Sequence, residues 1–358
     1  SASETTTSFK WREFYRALFT ANYTIESENM IEEGTADEVR QLVGESYMLR
    51  AYVHFLLVNL YGEPYTHCDP ATSKAIPLKL NSDTEAVLTR NTVGEVYSSI
   101  LSDLVEAEKY LNVDKWELGY NYRFTTLAVN ALRSRVYLYM GDWAKSLEAS
   151  EAVLSVNNQL VDMSSSTILP NEYNSSENIL ALEEVMNAQY VRAAKVATSL
   201  WKLYGTGDLR KSKYFKQVTA SNIQVIKGGS NQYRCSFRVG EIYLNAAEAA
   251  LMTGEAAIDV ARENLLTLME KRYTANAYAT KEAAVNAMGW DELLQEIYNE
   301  RTRELAFEGH RWFDLRRTTR PRLEKTFGGT SYVLEENDSR YTIRIPSEAI
   351  EANPGLAN

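Results

Sequence analysis

Cysteine and histidine are scarce, with two of the first and three of the second in 358 residues. Cys68 and Cys235 lie far apart, form no CxxC, and make no zinc-binding spacing with His54, His67 and His310. They read as buried free thiols, with a long-range disulfide as the alternative. His67, Cys68 and Asp69 are consecutive, and adjacent side chains seldom converge on one ion. Stretch 171–178 is rich in asparagine and could offer oxygens to a surface calcium, but it carries no EF-hand pattern. No cofactor or metal is expected. No apolar run reaches the roughly 18 residues of a membrane helix, and no signal peptide is seen. Basic residues are in deficit too, 38 against 48 acidic, for a net charge of -10. Such a field repels polyanions on average, so nucleic acid is set aside as a partner. The one dense basic run, 311–322, is short.

Tyrosine is abundant, with 23 residues against 10 phenylalanines. Its ring joins an apolar face to a hydroxyl edge, which suits wet interfaces and sugar faces. Apolar residues at 45% and charged residues at 24% are ordinary globular values. A chain this long buries about three quarters of its unfolded surface, so a core needs no disulfide or metal.

Helical periodicity organises most of the chain. One helix is predicted over 9–25. Another runs over 37–60 and stops at Tyr61-Gly62-Glu63-Pro64. A third starts at a Thr92/Glu95 capping box and runs to about 111. Residues 124–139 form a helix broken at Gly141-Asp142 and resumed over 143–153. A similar unit recurs over 239–252, Gly254-Glu255 and 256–269. Small residues (Ala131, Ser134 and Ala144; Ala247, Ala249 and Ala257) let antiparallel helices approach, and the glycine makes the turn. The predicted fold class is mostly α. Hairpins near 124–153 and 239–271 are of tetratricopeptide-repeat type, with a coincidental pair of hairpins as the alternative. Between them, 156–237 is loop-rich, with a short strand over 179–183, a helix over 191–200, and a hairpin pairing 221–227 with 233–237 across Gly228-Gly229. Helices follow over 280–288 and 290–308, then extended segments over 331–334 and 341–345. The opening residues, 1–8, read as linker.

A repeat scaffold does not name a ligand, so local motifs must decide. Glu300, Glu304 and Glu308 share one helix face at four-residue spacing. Glu300 with Arg303, and Glu304 with Arg301 or Arg311, form the predicted ion-pair network. A glycosidase carboxylate pair is the competing reading. The neighbouring arginines oppose it, because they favour ionised carboxylates over the raised-pKa acid that hydrolysis requires.

The same stretch, Glu300-Arg301-Thr302-Arg303-Glu304-Leu305-Ala306-Phe307-Glu308-Gly309-His310-Arg311-Trp312-Phe313-Asp314-Leu315-Arg316-Arg317, resembles the signature of the SusD/RagB family of Bacteroidetes outer-membrane nutrient-binding lipoproteins. Three further segments agree: 44–52 with Phe55 and Leu60-Tyr61-Gly62-Glu63-Pro64, 238–249, and 345–354. The resemblance implies a single SusD-like domain over 1–358, with tetratricopeptide-like hairpins and a variable, ligand-facing region at 156–237. It also implies a non-catalytic protein that binds a glycan, or a peptide in some members, and delivers it to a SusC-like TonB-dependent transporter. A helical glycoside hydrolase and a protein–protein scaffold are the remaining readings. Family members carry a signal peptide, a lipidated cysteine and an N-terminal helical segment ahead of the region matching 11–18. That portion is missing here, so an outward-facing, lipid-anchored place in the outer membrane is expected of the full-length protein only.

A sugar ring has apolar C–H faces and a hydroxyl rim, so aromatics beside planar polar groups are the candidates. The first group is Tyr190, Arg192, Trp201, Tyr204, Asp208, Arg210 and Tyr214. Trp201 has core filling as its alternative role, and Asp208 with Arg210 has a loop-stabilising pair. The second group is Tyr61, Tyr65, His67 and Asp69. Trp11, Tyr15, Asn22 and Tyr23 could form a rim. Trp312 and Trp143 read as packing residues.

Overall fold

Three helices open the chain: α1 (Trp11–Glu26), α2 (Ala36–Tyr61) and α3 (Val93–Tyr110). The computed structural model describes residues 9–184, 186–220 and 222–357, so the linker reading of 1–8 lies outside the described residues. Both α2 and α3 start at a reciprocal cap. The Thr35 and Thr92 hydroxyls accept from the Glu38 and Glu95 amides, and those glutamates accept from the cap N–H in return.

Sequence reading treats 1–358 as a single domain, whereas the structure gathers into two compact units. Among the described residues the first takes in 9–113, 139–141 and 312–357; the second takes in 114–138 and 142–311. In the first unit, buried Arg50 grips both oxygens of Asp103 at 2.9 and 2.6 Å and the Asn22 side-chain oxygen at 2.8 Å. It thereby ties α2 to α3 and α1. Asn22 is fully enclosed, Trp11 packs edge-on against Tyr61, and the Tyr15 hydroxyl donates to Pro77 O. Of the proposed rim, Tyr23 alone stays exposed.

The second unit begins with α4 (Thr126–Met140) and α5 (Trp143–Val156), then β1 (Asn178–Leu180), α6 (Ala188–Ala193), α7 (Thr198–Leu203) and α8 (Arg210–Tyr214). It continues through β2 (Phe215–Thr219), β3 (Asn222–Val225) and β4 (Phe237–Arg238) to α9 (Val239–Thr253), α10 (Ile258–Glu270), α11 (Ala275–Ala287) and α12 (Trp290–Glu304). The helical hairpins α4–α5 and α9–α10 stand where the sequence places them. Gly141 (φ 73°) and Gly254 (φ 130°) turn the chain in the left-handed region that glycine tolerates. Small polar residues line the seam. Ser134 and Ser150 hydroxyls lie 2.7 Å apart, Ser146 donates to Ser134 O, and Asn245 donates to the Ser134 hydroxyl.

The middle region departs from expectation. The helix predicted over 191–200 is two short helices, because Ala194 is extended between them. The predicted 221–227/233–237 hairpin does not form over its described residues, and residue 221 lies outside them. β3 pairs instead with β2, and β4 pairs with β1, both antiparallel. Each true partner is supplied by a segment that local patterning cannot nominate. α12 stops at Glu304 rather than 308, since Phe307 (φ 62°) and Gly309 (φ 87°) redirect the chain.

α13 (His310–Arg317), β5 (Leu323–Phe327), β6 (Thr330–Leu334) and α14 (Ser347–Ala352) follow. β5 and β6 pair as a hairpin turning at Gly328-Gly329. The predicted strand over 331–334 is there, but 341–345 forms no strand, its Ile343 N–H donating to Leu60 O. Arg316 donates to Tyr341 O (2.6 Å), Gly62 O (2.6 Å) and Asn59 O. It thus satisfies orphan carbonyls at the exit of α2. Cys68 and Cys235 are free thiols, half-buried and buried respectively, and burial raises the pKa of both.

Candidate functional site

The side chains of the first candidate group split between interior and surface. Arg210 and Asp208 are buried and bonded in parallel at 2.9 Å through both carboxylate oxygens. Arg210 also reaches Glu300 (2.5 Å) and Glu304 (2.9 Å). The network extends well beyond the helix face predicted for it. Arg272 and Arg238 both bind Glu304 and Glu177, and Glu308 takes Arg238 and Lys227. Glu300 pairs with Arg303 as expected. Glu304 is held by Arg210, Arg238 and Arg272 in place of Arg301 or Arg311, while Arg301 turns to Asn245 and Glu248.

Burial alone would push these carboxyls up, but the guanidinium groups overcome it. Glu304 is held well below the usual range by Arg272, Arg238 and Arg210, and Glu308 falls to about 2 under Arg238 and Lys227. A glycosidase acid needs the opposite shift and an open cleft. Glu300, Glu304 and Glu308 offer neither.

Tyr204 is buried, packs with Tyr214 and Phe215, and donates its hydroxyl to Arg303 O at 2.7 Å. Tyr204, Asp208 and Arg210 are therefore corrected from ligand platform to interior. Their polar atoms are already satisfied, and their faces are covered. Trp201 is half-buried, edge-on to Phe215, with the Lys211 ammonium 4.6 Å above its ring. Tyr190 stands out on α6 with 59% of its surface exposed. Tyr65 and His67 belong to the first unit and are half-buried. Tyr65 packs edge-on against Tyr97, and the His67 Nε2 lies 3.2 Å from Arg317 O.

Sequence reading passed over a different place. Three loops of the second unit, at 119–122, 173–174 and 231–234, enclose a cavity of ≈ 580 Å³ lined by Asn121, Tyr122, Tyr173, Asn174, Gln232 and Arg234 among others. Backbone pairing fixes the loops on one another. Ala181 N–H donates to Asn121 O, Tyr173 N–H to Gln232 O, and the Asn121 amide to Tyr173 O at 2.6 Å. Tyr122 keeps 43% of its surface free. On two of the lining residues, Asn174 Oδ1 and Arg234 Nε are sheltered from solvent and have no hydrogen-bond partner among the described residues. Buried polar atoms are nearly always paired, and an unpaired one costs about 1–3 kcal/mol. The three loops thus bring an exposed aromatic ring into one wall with two residues whose polar atoms are not all paired within the protein. The sequence signal was faint: Tyr120-Asn121-Tyr122 and the asparagine-rich 171–178 stretch, weighed there only as a calcium loop.

A model of the family described as "SusD family" matches residues 165–357. The chain belongs to the SusD family. A second family model, described as "Starch-binding associating with outer membrane", matches residues 1–138 of the SusD-family chain. A SusD-like protein of Formosa agariphila, P38, is 30% identical over 148 residues, which is 41% of this chain and 26% of that relative. The matched stretch thus spans about a quarter of the curated relative's length. Among solved structures, a SusD superfamily protein from Bacteroides fragilis superposes with a TM-score of 0.83 at 23% identity, covering 99% of this chain and 85% of that one. A laminarin binding SusD-like protein gives a TM-score of 0.64 at 21% identity over 87% of this chain and 78% of that one. Such likeness establishes the mostly helical, tetratricopeptide-like fold of the SusD-family chain.

Proposed function

We propose that this SusD-family chain binds an oligosaccharide or polysaccharide, without turning it over, in the cavity closed by residues 119–122, 173–174 and 231–234. The pair of unpartnered atoms, Asn174 Oδ1 and Arg234 Nε, beside the open face of Tyr122 carries this reading. A sugar stacks its C–H face on the ring and supplies one hydroxyl to donate and one to accept. The family match and the laminarin-binding relative support a glycan over other ligands. In the full-length protein, binding takes place on the outward face of the outer membrane, under a lipid anchor. The cargo then passes to a SusC-like TonB-dependent transporter.

Calorimetric titration with laminarin, other glycans and short peptides, run beside a reducing-end assay, tests this. Saturable glycan binding with no new reducing ends is expected. Tyr122→Ala and Asn174→Ala should each lower affinity about ten-fold, the loss of roughly one stack or one buried hydrogen bond. Peptide-only binding, glycan turnover, or full affinity in both variants would overturn it. Co-purification of a large β-barrel with the full-length protein tests the delivery step.

A further inference from the structure

The charge of this acidic chain is unevenly distributed. Segment 188–229 contains eight basic residues and a single acidic one, Asp208, although acidic residues outnumber basic ones overall. Two of the eight, Arg210 and Lys227, are consumed inside by the buried carboxylates. The other six are not neutralised. Arg192, Lys195, Lys202 and Lys216 are exposed. Lys211 and Lys213 are half-buried and tethered to the carbonyls of Tyr204 and Ser166, at 2.8 and 2.7 Å. A carbonyl orients an ammonium without cancelling its charge. None of the six has a carboxylate within ion-pair distance among the described residues. They are spread over α6, the link to α7, α7 itself, α8 and β2, so a scan for dense basic runs passes over them.

The cavity agrees in sign. Arg234 is the one charged residue lining it, with its Nε unpaired and an Nη on the Asn231 side-chain oxygen, while the nearby Glu172 carboxylate is turned to the Gln232 amide. Cavity wall and basic segment are also stitched together. The backbones of Arg234 and Glu184 pair in an antiparallel β-bridge, and Gly229 N–H donates to Met186 O at 2.7 Å, just before α6 begins. Along the basic segment, Tyr190 is open to solvent and Trp201 is half-open beneath Lys211. Tyr190 offers a ring face to a sugar, and the Trp201 ring is shared with the Lys211 cation.

We infer that the glycan held by this unit is acidic, a carboxylated or sulfated polysaccharide seated in the cavity at Arg234 and continuing over the cations of 188–229. The inference rests on the glycan reading above and narrows its substrate class. Guanidinium Nε with an Nη presents a fork suited to a carboxylate or sulfate. Exposed ammonium groups then raise encounter and affinity in a salt-dependent manner.

Affinity is measured at 50 and 500 mM NaCl for oligogalacturonate, dextran sulfate, laminarin and vesicles of anionic phospholipid. The proteins are the parent chain, the Lys195→Glu/Lys202→Glu pair, Arg234→Gln, and Lys325→Glu on β5 as a single charge reversal elsewhere. At low salt one acidic polymer, at least, should bind about ten-fold more tightly than laminarin, with most of that margin gone at high salt. The paired reversal should cut acidic binding about ten-fold and spare laminarin, while Lys325→Glu changes neither. The two acidic arms distinguish carboxylate from sulfate. Laminarin binding as tightly as both acidic polymers, indifference to the paired reversal, or vesicles outcompeting the polymers would each overturn the inference. In the first two cases the glycan reading stands, because a polymer still binds. Failure of every polymer sinks both.

Discussion

Glu304 shows how one residue can look functional and be structural. Its two oxygens serve three guanidinium groups from three separate segments, all fully enclosed. Removing the charge strands buried cations. Glu304→Gln should therefore destabilise the second unit by about 3–5 kcal/mol, read as a lowered urea midpoint. The exposed Tyr190→Ala should stay within about 0.5 kcal/mol of the parent. Sequence reading recognised a network on this helix but not its membership. Arg210, Arg238 and Arg272 lie 32 to 94 residues away from Glu304, and no local spacing announces such partners. The same distance misled the reading of Tyr204, Asp208 and Arg210, whose types suited a sugar while their positions suited the interior. Asn174 and Arg234 escaped notice for the converse reason, since each is unremarkable until three loops meet.

Elements with their own punctuation were legible. The capping box at Thr92 and the glycine turns at Gly141 and Gly254 are encoded within a few residues, so α3 and the two helical hairpins could be read directly, while the Thr35 box that starts α2 became visible only in the structure. The short strands could not, because β1–β4 joins residues about sixty positions apart, and periodicity says nothing about partners. Arg316 on α13 illustrates a third case, in which one element finishes another. Buried, with its pKa drawn down to about 10 by loss of solvent, it serves the carbonyls of Asn59 and Gly62 where α2 ends. Arg316→Met would leave them unsatisfied and should destabilise the first unit by roughly 3 kcal/mol. Hydrogen exchange should accelerate first at amides near residues 58–62.

At the scale of the whole chain, the two units should respond differently to acid. His54, in the first unit, is sealed from solvent, and burial followed by the nearby Arg50 charge lowers its pKa to about 3 from 6.5. Above 6.5 neither state is protonated there. Below it the unfolded chain takes up a proton that the folded unit refuses, so stability falls until about pH 3. In the second unit Glu308, ordinarily near 4.5, sits at about 2. Its contribution is complete above 4.5 and is lost as pH falls toward 2. Segment-resolved hydrogen exchange should accordingly show protection in 11–110 weakening below about pH 6.5, and protection around 200–308 holding until about pH 4.5. Simultaneous loss from pH 6.5 in both would contradict this.

The vacant valences of Asn174 and Arg234 also set a direction for sequence drift. On the proposed reading they are a local frustration that a bound glycan would relieve. A lineage selected for heat resistance alone would then trade both positions for aliphatic side chains and become sturdier while losing its ligand.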